Sequence, residues 1–211
     1  MHLHRYLLLM VLTFGLIACG PAKPPAQAVA PGATVVALGD SLTAGVGAAQ
    51  GQDWPSLLAQ QTGWDIINAG VSGDTSAQGL QRLPDLLSEH QPQLVIVGLG
   101  GNDFLRRQPS SATVDNLTQI IQTIQAHGAQ VAIVAIPQPN LLAAAGATPS
   151  DHALYAELGE HFKVPVLEEL WGPILGNANL RADTVHANAQ GYAQFTDALY
   201  ARLQSAGFIA H

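Results

Sequence analysis

Four short stretches of this chain carry residue types that acyl-transfer chemistry needs. They are Gly39-Asp40-Ser41-Leu42, Ser72-Gly73-Asp74, Gly100-Gly101-Asn102-Asp103 and Asp183-Thr184-Val185-His186. A serine hydroxyl is a poor nucleophile until a base within hydrogen-bond reach takes its proton. Of the eight histidines, His186 alone follows an aspartate at a spacing that gives it such a role. In Asp183-x-x-His186 both side chains spring from one tight turn. The carboxylate can then accept from Nδ1–H and leave Nε2 to face Ser41. Gly73 offers a backbone N–H with no side chain in the way. Asn102 follows two glycines that let its amide lie close over a site. With the N–H of Ser41, these make three donors for the negative oxygen of a tetrahedral intermediate. Taken singly, each has a plainer reading: Gly39-Asp40-Ser41 as a polar turn, Gly73 and Asn102 as turn residues, Asp183 as a loop cap. His90, His127, His152 and His161 lie on or at the ends of predicted helices and read as surface residues.

What lifts the set above its members is where the elements put it. Val35–Leu38 is a short apolar run broken by Gly39, which predicts a buried strand delivering Ser41 to the rim of a sheet. Asp65–Asn68, Leu94–Leu99, Val131–Ile136 and Val164–Leu167 are the other predicted strands. Leu94–Leu99 is uninterrupted, the mark of a parallel strand covered on both faces. Between them the pattern predicts helices over Trp54–Gln61, capped by Asp53, and over Ser76–His90, opened by Thr75 and Gln78 in capping-box spacing. Pro84 should kink or restart the second of these. Further helices are predicted over Thr113–His127, Asp151–Phe162 and Gln190–Gln204, the last with Tyr192, Phe195, Leu199 and Leu203 facing the core. Alternating strands and helices indicate a single three-layer α/β domain with a five-stranded parallel sheet in flavodoxin-like order. Open sheets of this kind build their sites at the carboxyl ends of the strands, where all four stretches fall.

The rest of the chain bounds the function. Its 211 residues carry 15 Asp+Glu against 8 Lys+Arg and no basic run, which argues against nucleic acid as a partner. Arg5, the apolar run Leu7 to Ile17 and then Leu16-Ile17-Ala18-Cys19 have the flanks of a secretory signal, and the run is too short to span a bilayer. Small residues before a cysteine at that point resemble the bacterial lipobox. The resemblance implies a signal peptide over 1–18, cleavage before Cys19 and a membrane anchor through lipid on that residue. The protein would then sit in the bacterial cell envelope, facing the periplasm. The plainer alternative is an ordinary signal peptide with an incidental cysteine. Residues 19–32, rich in Pro and Ala, read as a tether, with the folded domain over 33–211.

The four stretches, in this order, resemble the SGNH or GDSL hydrolases, over Ala33 to about Gln204. Within that family, SGDTSAQGLQRLPDLL and LGGNDFLR look like the bacterial thioesterase/lysophospholipase-like arylesterase branch. The resemblance implies Ser41 as nucleophile, His186 as base and acid, and Asp183 as its orienter, with Ser41, Gly73 and Asn102 as the oxyanion hole. It also implies a small acyl ester or thioester as substrate. Proline often follows the family's histidine, whereas Ala187-Asn188 follows here. Many members of the branch are free periplasmic proteins, whereas this chain carries the lipobox-like stretch. No Gly-x-Ser-x-Gly elbow, HExxH, Cys-x-x-Cys, calcium loop or Walker lysine occurs in the sequence, so neither a metal nor another cofactor is expected. After Asn102, residues 104–109 predict a mobile loop over the cleft. Phe104, Leu105, Pro139 and Leu141 are expected to line an acyl groove, with plain loop packing as the alternative. Two other functions stay open at this point, a carbohydrate O-deacetylase on the same triad and a non-catalytic envelope lipoprotein.

Overall fold

The computed structural model describes residues 26–138 and 147–210. Its centre is a five-stranded sheet in the order β2-β1-β3-β4-β5. The strands are β1 (Thr34–Gly39), β2 (Asp65–Gly70), β3 (Leu94–Gly98), β4 (Gln130–Val134) and β5 (Val166–Leu167), and every pairing is parallel. Val36 is the hinge of the register, opposite Ile67 on one side and Val95 on the other. Val35 to Leu38 and Leu94 to Ile96 are fully buried, as strands covered on both faces must be.

Among the described residues, eight helices follow the strands: α1 (Ser41–Ala44), α2 (Trp54–Thr62), α3 (Ser76–His90), α4 (Gly101–Leu105), α5 (Ser110–Ala126), α6 (Leu154–Phe162), α7 (Trp171–Leu175) and α8 (Ala189–Ala206). They form two groups. In one, α3 packs on α5 and α5 on α6; in the other, α2 and α7 pack on α8. Local chemistry sets their ends. Asp53 accepts from Ser56 N at the start of α2, and Thr75 and Gln78 close a full capping box at the start of α3. On α5, Leu117, Ile120, Ile121 and Ile124 of the helically spaced apolar row are buried and Val114 is half-buried; on α8 the predicted Tyr192, Phe195, Leu199 and Leu203 are all buried. Trp171 stacks on Phe195 with ring centroids 3.7 Å apart, and Trp54 packs on the same ring at 5.9 Å. Such aromatic pairs are each worth about 0.5–1.5 kcal/mol beyond their buried area, and here they fix α2 and α7 onto α8.

Several boundaries differ from expectation. Helix α3 runs unbroken through Pro84, and α5 opens at Ser110, three residues before the predicted start. Strand β5 is only two residues long. The packed domain also begins before Ala33. Val29 is buried, its N–H donates to Phe208 O at 2.8 Å, and its carbonyl accepts from Trp64 Nε1 at 3.1 Å. Gln27 and Gln130 exchange two hydrogen bonds, at 2.7 and 2.9 Å. Residues 26–32 are therefore part of the fold and not of the tether. These contacts join distant positions, which a segment without periodicity does not announce.

Candidate active site

Strand β1 lies between β2 and β3, and its connection leaves the sheet where the strand order reverses, so the crevice opens at its carboxyl end. Ser41 is the first residue of α1, directly past that end. Asp40 turns the chain by accepting from Leu42 N at 3.0 Å, which caps the helix. Gly39 is required by close approach: a Cβ there would run into the side chain of Thr43. Burial pushes the Asp40 carboxyl up to about 6, against the pull of the Leu42 N–H and of His186, while Asp74 and Asp103 add to the rise.

Ser41 Oγ lies 3.0 Å from His186 Nε2 across the crevice. The other ring nitrogen, Nδ1, pairs with Asp183 Oδ2 at 2.7 Å. The second carboxylate oxygen of Asp183 accepts from the N–H groups of Val185 and His186, both at 2.8 Å. One side chain thus closes the turn and orients the ring. Slight burial raises the Asp183 carboxyl, but hydrogen bonds from the His186 ring and from the two backbone N–H groups outweigh it and hold the group below the usual carboxylate range. The turn itself is held by Ala182 N donating to His186 O, and by Asn188, which caps α8 and donates its amide to Asn179 O.

Gly73 sits in a tight turn whose Asp74 N donates to Val71 O at 3.1 Å. Its φ of 86° at the third position is what that turn demands, and glycine meets it without strain. Asn102, on α4, donates from Nδ2 to Asp74 O at 3.0 Å and to Asp40 Oδ2 at 3.2 Å. Among the described residues, the N–H groups of Ser41 and Gly73 have no hydrogen-bond partner. Ser41, Gly73, Asn102 and His186 all line one cavity of about 510 Å3. Its apolar wall comes from Leu42, Leu105, Ile136, Pro137, Leu175 and Val185. Such an arrangement can take a proton from Ser41, return it elsewhere and hold a negative oxygen with backbone donors. Among the described residues no cluster of three or more His, Cys, Asp or Glu side chains is placed to hold a metal ion.

The expected acyl-groove residues divide. Leu105 is 56% exposed and lines the cavity, whereas Phe104 is 8% exposed and turns inward. Phe104 stacks on His152 at 4.8 Å and meets Tyr155 edge-on, so it supports the wall from behind. The reason is α4: the helix over residues 101–105 takes in the first two residues of the loop expected over 104–109, and its turn sends these neighbouring side chains in different directions. His152 is consequently a half-buried stacking partner and not a surface residue. Pro139, Leu141 and Cys19 lie outside the described residues. Sequence reasoning missed Asp40, although an aspartate before a helix start is a capping signal. It also missed Leu175 and Ile136, whose place on the wall follows only from the tertiary fold.

Residues 37–194 match the model of the GDSL-like Lipase/Acylhydrolase family, and the chain belongs to that family of ester hydrolases. It is 37% identical over 179 residues to the thioesterase 1/protease 1/lysophospholipase L1 of Escherichia coli (strain K12), a match spanning 81% of this chain and 83% of that one. An arylesterase of Vibrio mimicus is 38% identical over 168 residues, 76% of this chain and 78% of that one. Among solved structures, the psychrotrophic esterase EstA from Pseudoalteromonas sp., inhibited by monoethylphosphonate, superposes with a TM-score of 0.71 at 28% identity, covering 82% of this chain and 97% of that one.

Proposed function

We propose that this chain hydrolyses esters or thioesters of apolar acids through an acyl-enzyme on Ser41. The observation that carries the reading is the unbroken row Ser41 Oγ, His186 Nε2, His186 Nδ1, Asp183 Oδ2, with contacts of 3.0 and 2.7 Å. His186 Nε2 takes the Oγ proton as the Oγ–C bond forms and the carbonyl electrons move onto oxygen. Collapse of that intermediate expels the alcohol or thiol, which leaves with the proton from His186. Water then attacks the acyl-enzyme, His186 again takes and returns a proton, and the free acid departs. The unpaired N–H groups of Ser41 and Gly73 and the Asn102 amide receive the oxyanion. Asn102's longer contact, 3.2 Å to Asp40, is the one the oxyanion would replace.

The apolar wall favours a hydrocarbon acyl group over an acetyl group on a sugar ring, and relatives named as a thioesterase and an arylesterase support the same ester classes. The test is a series of p-nitrophenyl esters from acetyl to dodecanoyl, run beside an acetylated sugar. A pre-steady-state burst of p-nitrophenol equal to the enzyme, and higher kcat/KM for the longer aryl esters, is the expected result. A preference for the acetylated sugar would favour the deacetylase instead. Leu16-Ile17-Ala18-Cys19 further supports attachment to the cell envelope through lipid on Cys19, with the domain facing the periplasm. Cys19→Ala should block lipidation and cleavage by the lipoprotein route, read by mass spectrometry of the chain; wild-type protein recovered free in the periplasm with an unmodified cysteine would refute the anchor.

A further inference from the structure

Neither hydrogen-bond partner of Arg82, Asp74 or Gly39, lines the cavity, yet Arg82 ties together the segments that bear the oxyanion donors. It lies midway along α3, and its guanidinium makes two directed contacts. Nε donates to Asp74 Oδ2 at 2.8 Å, and Nη2 donates to Gly39 O at 2.9 Å. Gly39 is the last residue of β1, two positions before Ser41. Its carbonyl also accepts from Val71 N at 3.1 Å, at the start of the turn that carries Gly73. Asp74 closes that turn, and its own carbonyl accepts from Asn102 Nδ2 at 3.0 Å. One planar group therefore spans the end of β1 and the 71–74 turn, and the turn in turn holds the Asn102 amide.

We infer that Arg82 is a positioning residue for the oxyanion hole, setting the spacing of the Ser41, Gly73 and Asn102 donors. The inference rests on reading those three as the oxyanion donors. The chemistry favours arginine, whose fork holds a carboxylate oxygen and a carbonyl at fixed separation; a lysine keeps the charge but not the fork. The Asp74 side chain is only 9% exposed, so the pair also keeps a carboxylate from being left nearly dry and alone. That second role is structural, and the test has to separate the two.

Four variants are measured with one aryl ester: Arg82→Lys, Arg82→Gln combined with Asp74→Asn, Asn102→Ala, and Arg82→Lys combined with Asn102→Ala. The double variant removes both charges together and so leaves no unpaired carboxylate. Folding of each is checked by thermal unfolding. Displacing donors by a fraction of an ångström costs less than deleting one, so Arg82→Lys and the double variant should lose roughly tenfold to hundredfold in kcat with KM little changed. Phosphonylation of Ser41 by a fluorophosphonate should slow in parallel. Adding Arg82→Lys to Asn102→Ala should cost less than it does alone, because both act on one set of donors. If Asn102→Ala loses kcat while the folded Arg82 variants keep theirs, Arg82 is only a structural ion pair and the assignment is overturned, with the oxyanion reading intact. If none of the four loses kcat, the oxyanion reading and the Arg82 assignment are both overturned.

Discussion

Ser41 stands at the end of a strand whose residues 35–38 are fully buried, whereas Asp183, its partner across the crevice through His186, has a side chain 52% exposed. The serine side is held by contacts between distant segments: Asp40 to Asn102, Asn102 to Asp74, Arg82 to Gly39. The base side is held by its own neighbours, with Asp183 closing a turn onto Val185 and His186. The first arrangement exists only when the sheet is assembled; the second is written in four consecutive residues. Local units of this kind open at lower free energy than the core does, so the Asp183–His186 turn is expected to open before β1 does. Amide exchange tests this contrast: the N–H groups of residues 185 and 186 should exchange well before those of β1.

The largest effect expected on either arm is loss of the chemistry itself. Ser41→Ala and His186→Ala should each reduce kcat by roughly 10⁴–10⁶-fold, and the double variant should be scarcely worse, because the two act as one unit. Thermal unfolding should be nearly unchanged. Asp183→Asn should cost less, roughly 10³–10⁴-fold. Its remaining oxygen can still accept from the backbone N–H groups and keep the turn. Its amide then faces His186 Nδ1 and favours the tautomer in which Nε2 carries the proton. A turn that unfolds in this variant would show that the carboxylate, and not the sequence around it, builds the base arm.

Two further changes act on stability. Phe104→Ala removes a buried ring stacked on His152 and should destabilise by about 3–5 kcal/mol in denaturant unfolding, while kcat falls less than with Asn102→Ala. Asp40 supplies the smaller and pH-dependent effect. Burial raises its carboxyl from the ordinary 3.8 to about 6 in the folded protein, so folding favours the protonated form. The stability it contributes is fully present below about pH 4 and is lost as pH rises through about 6, a swing of about 3 kcal/mol. Asp40→Asn keeps an oxygen for Leu42 N–H and should flatten that part of the stability profile. Urea unfolding of both proteins between pH 4 and 7 measures the difference.

The same contrast explains what the sequence could and could not show. Asp183-x-x-His186 is visible because its contacts are local, and the parallel sheet is visible in the alternation of apolar runs and helices. Arg82 is invisible because a single arginine on an amphipathic helix looks like any solvated charge; only the fold brings it under Gly39 and Asp74. Phe104 and Leu105 were indistinguishable as apolar neighbours until α4, too short to show a period, set them on opposite sides. The packing of Val29 on Phe208 was hidden for a related reason: a Pro- and Ala-rich stretch has no pattern from which a partner nearly the whole chain away could be read.

The central claim is that Ser41, activated by His186, forms a covalent bond to the substrate's acyl carbon. Treating the protein with a fluorophosphonate and mapping the adduct by peptide mass spectrometry tests this most directly. The expected result is one phosphonate per chain, on Ser41, absent in Ser41→Ala and slow to form in His186→Ala. An adduct on another serine, or ester hydrolysis that survives in Ser41→Ala, would contradict the account.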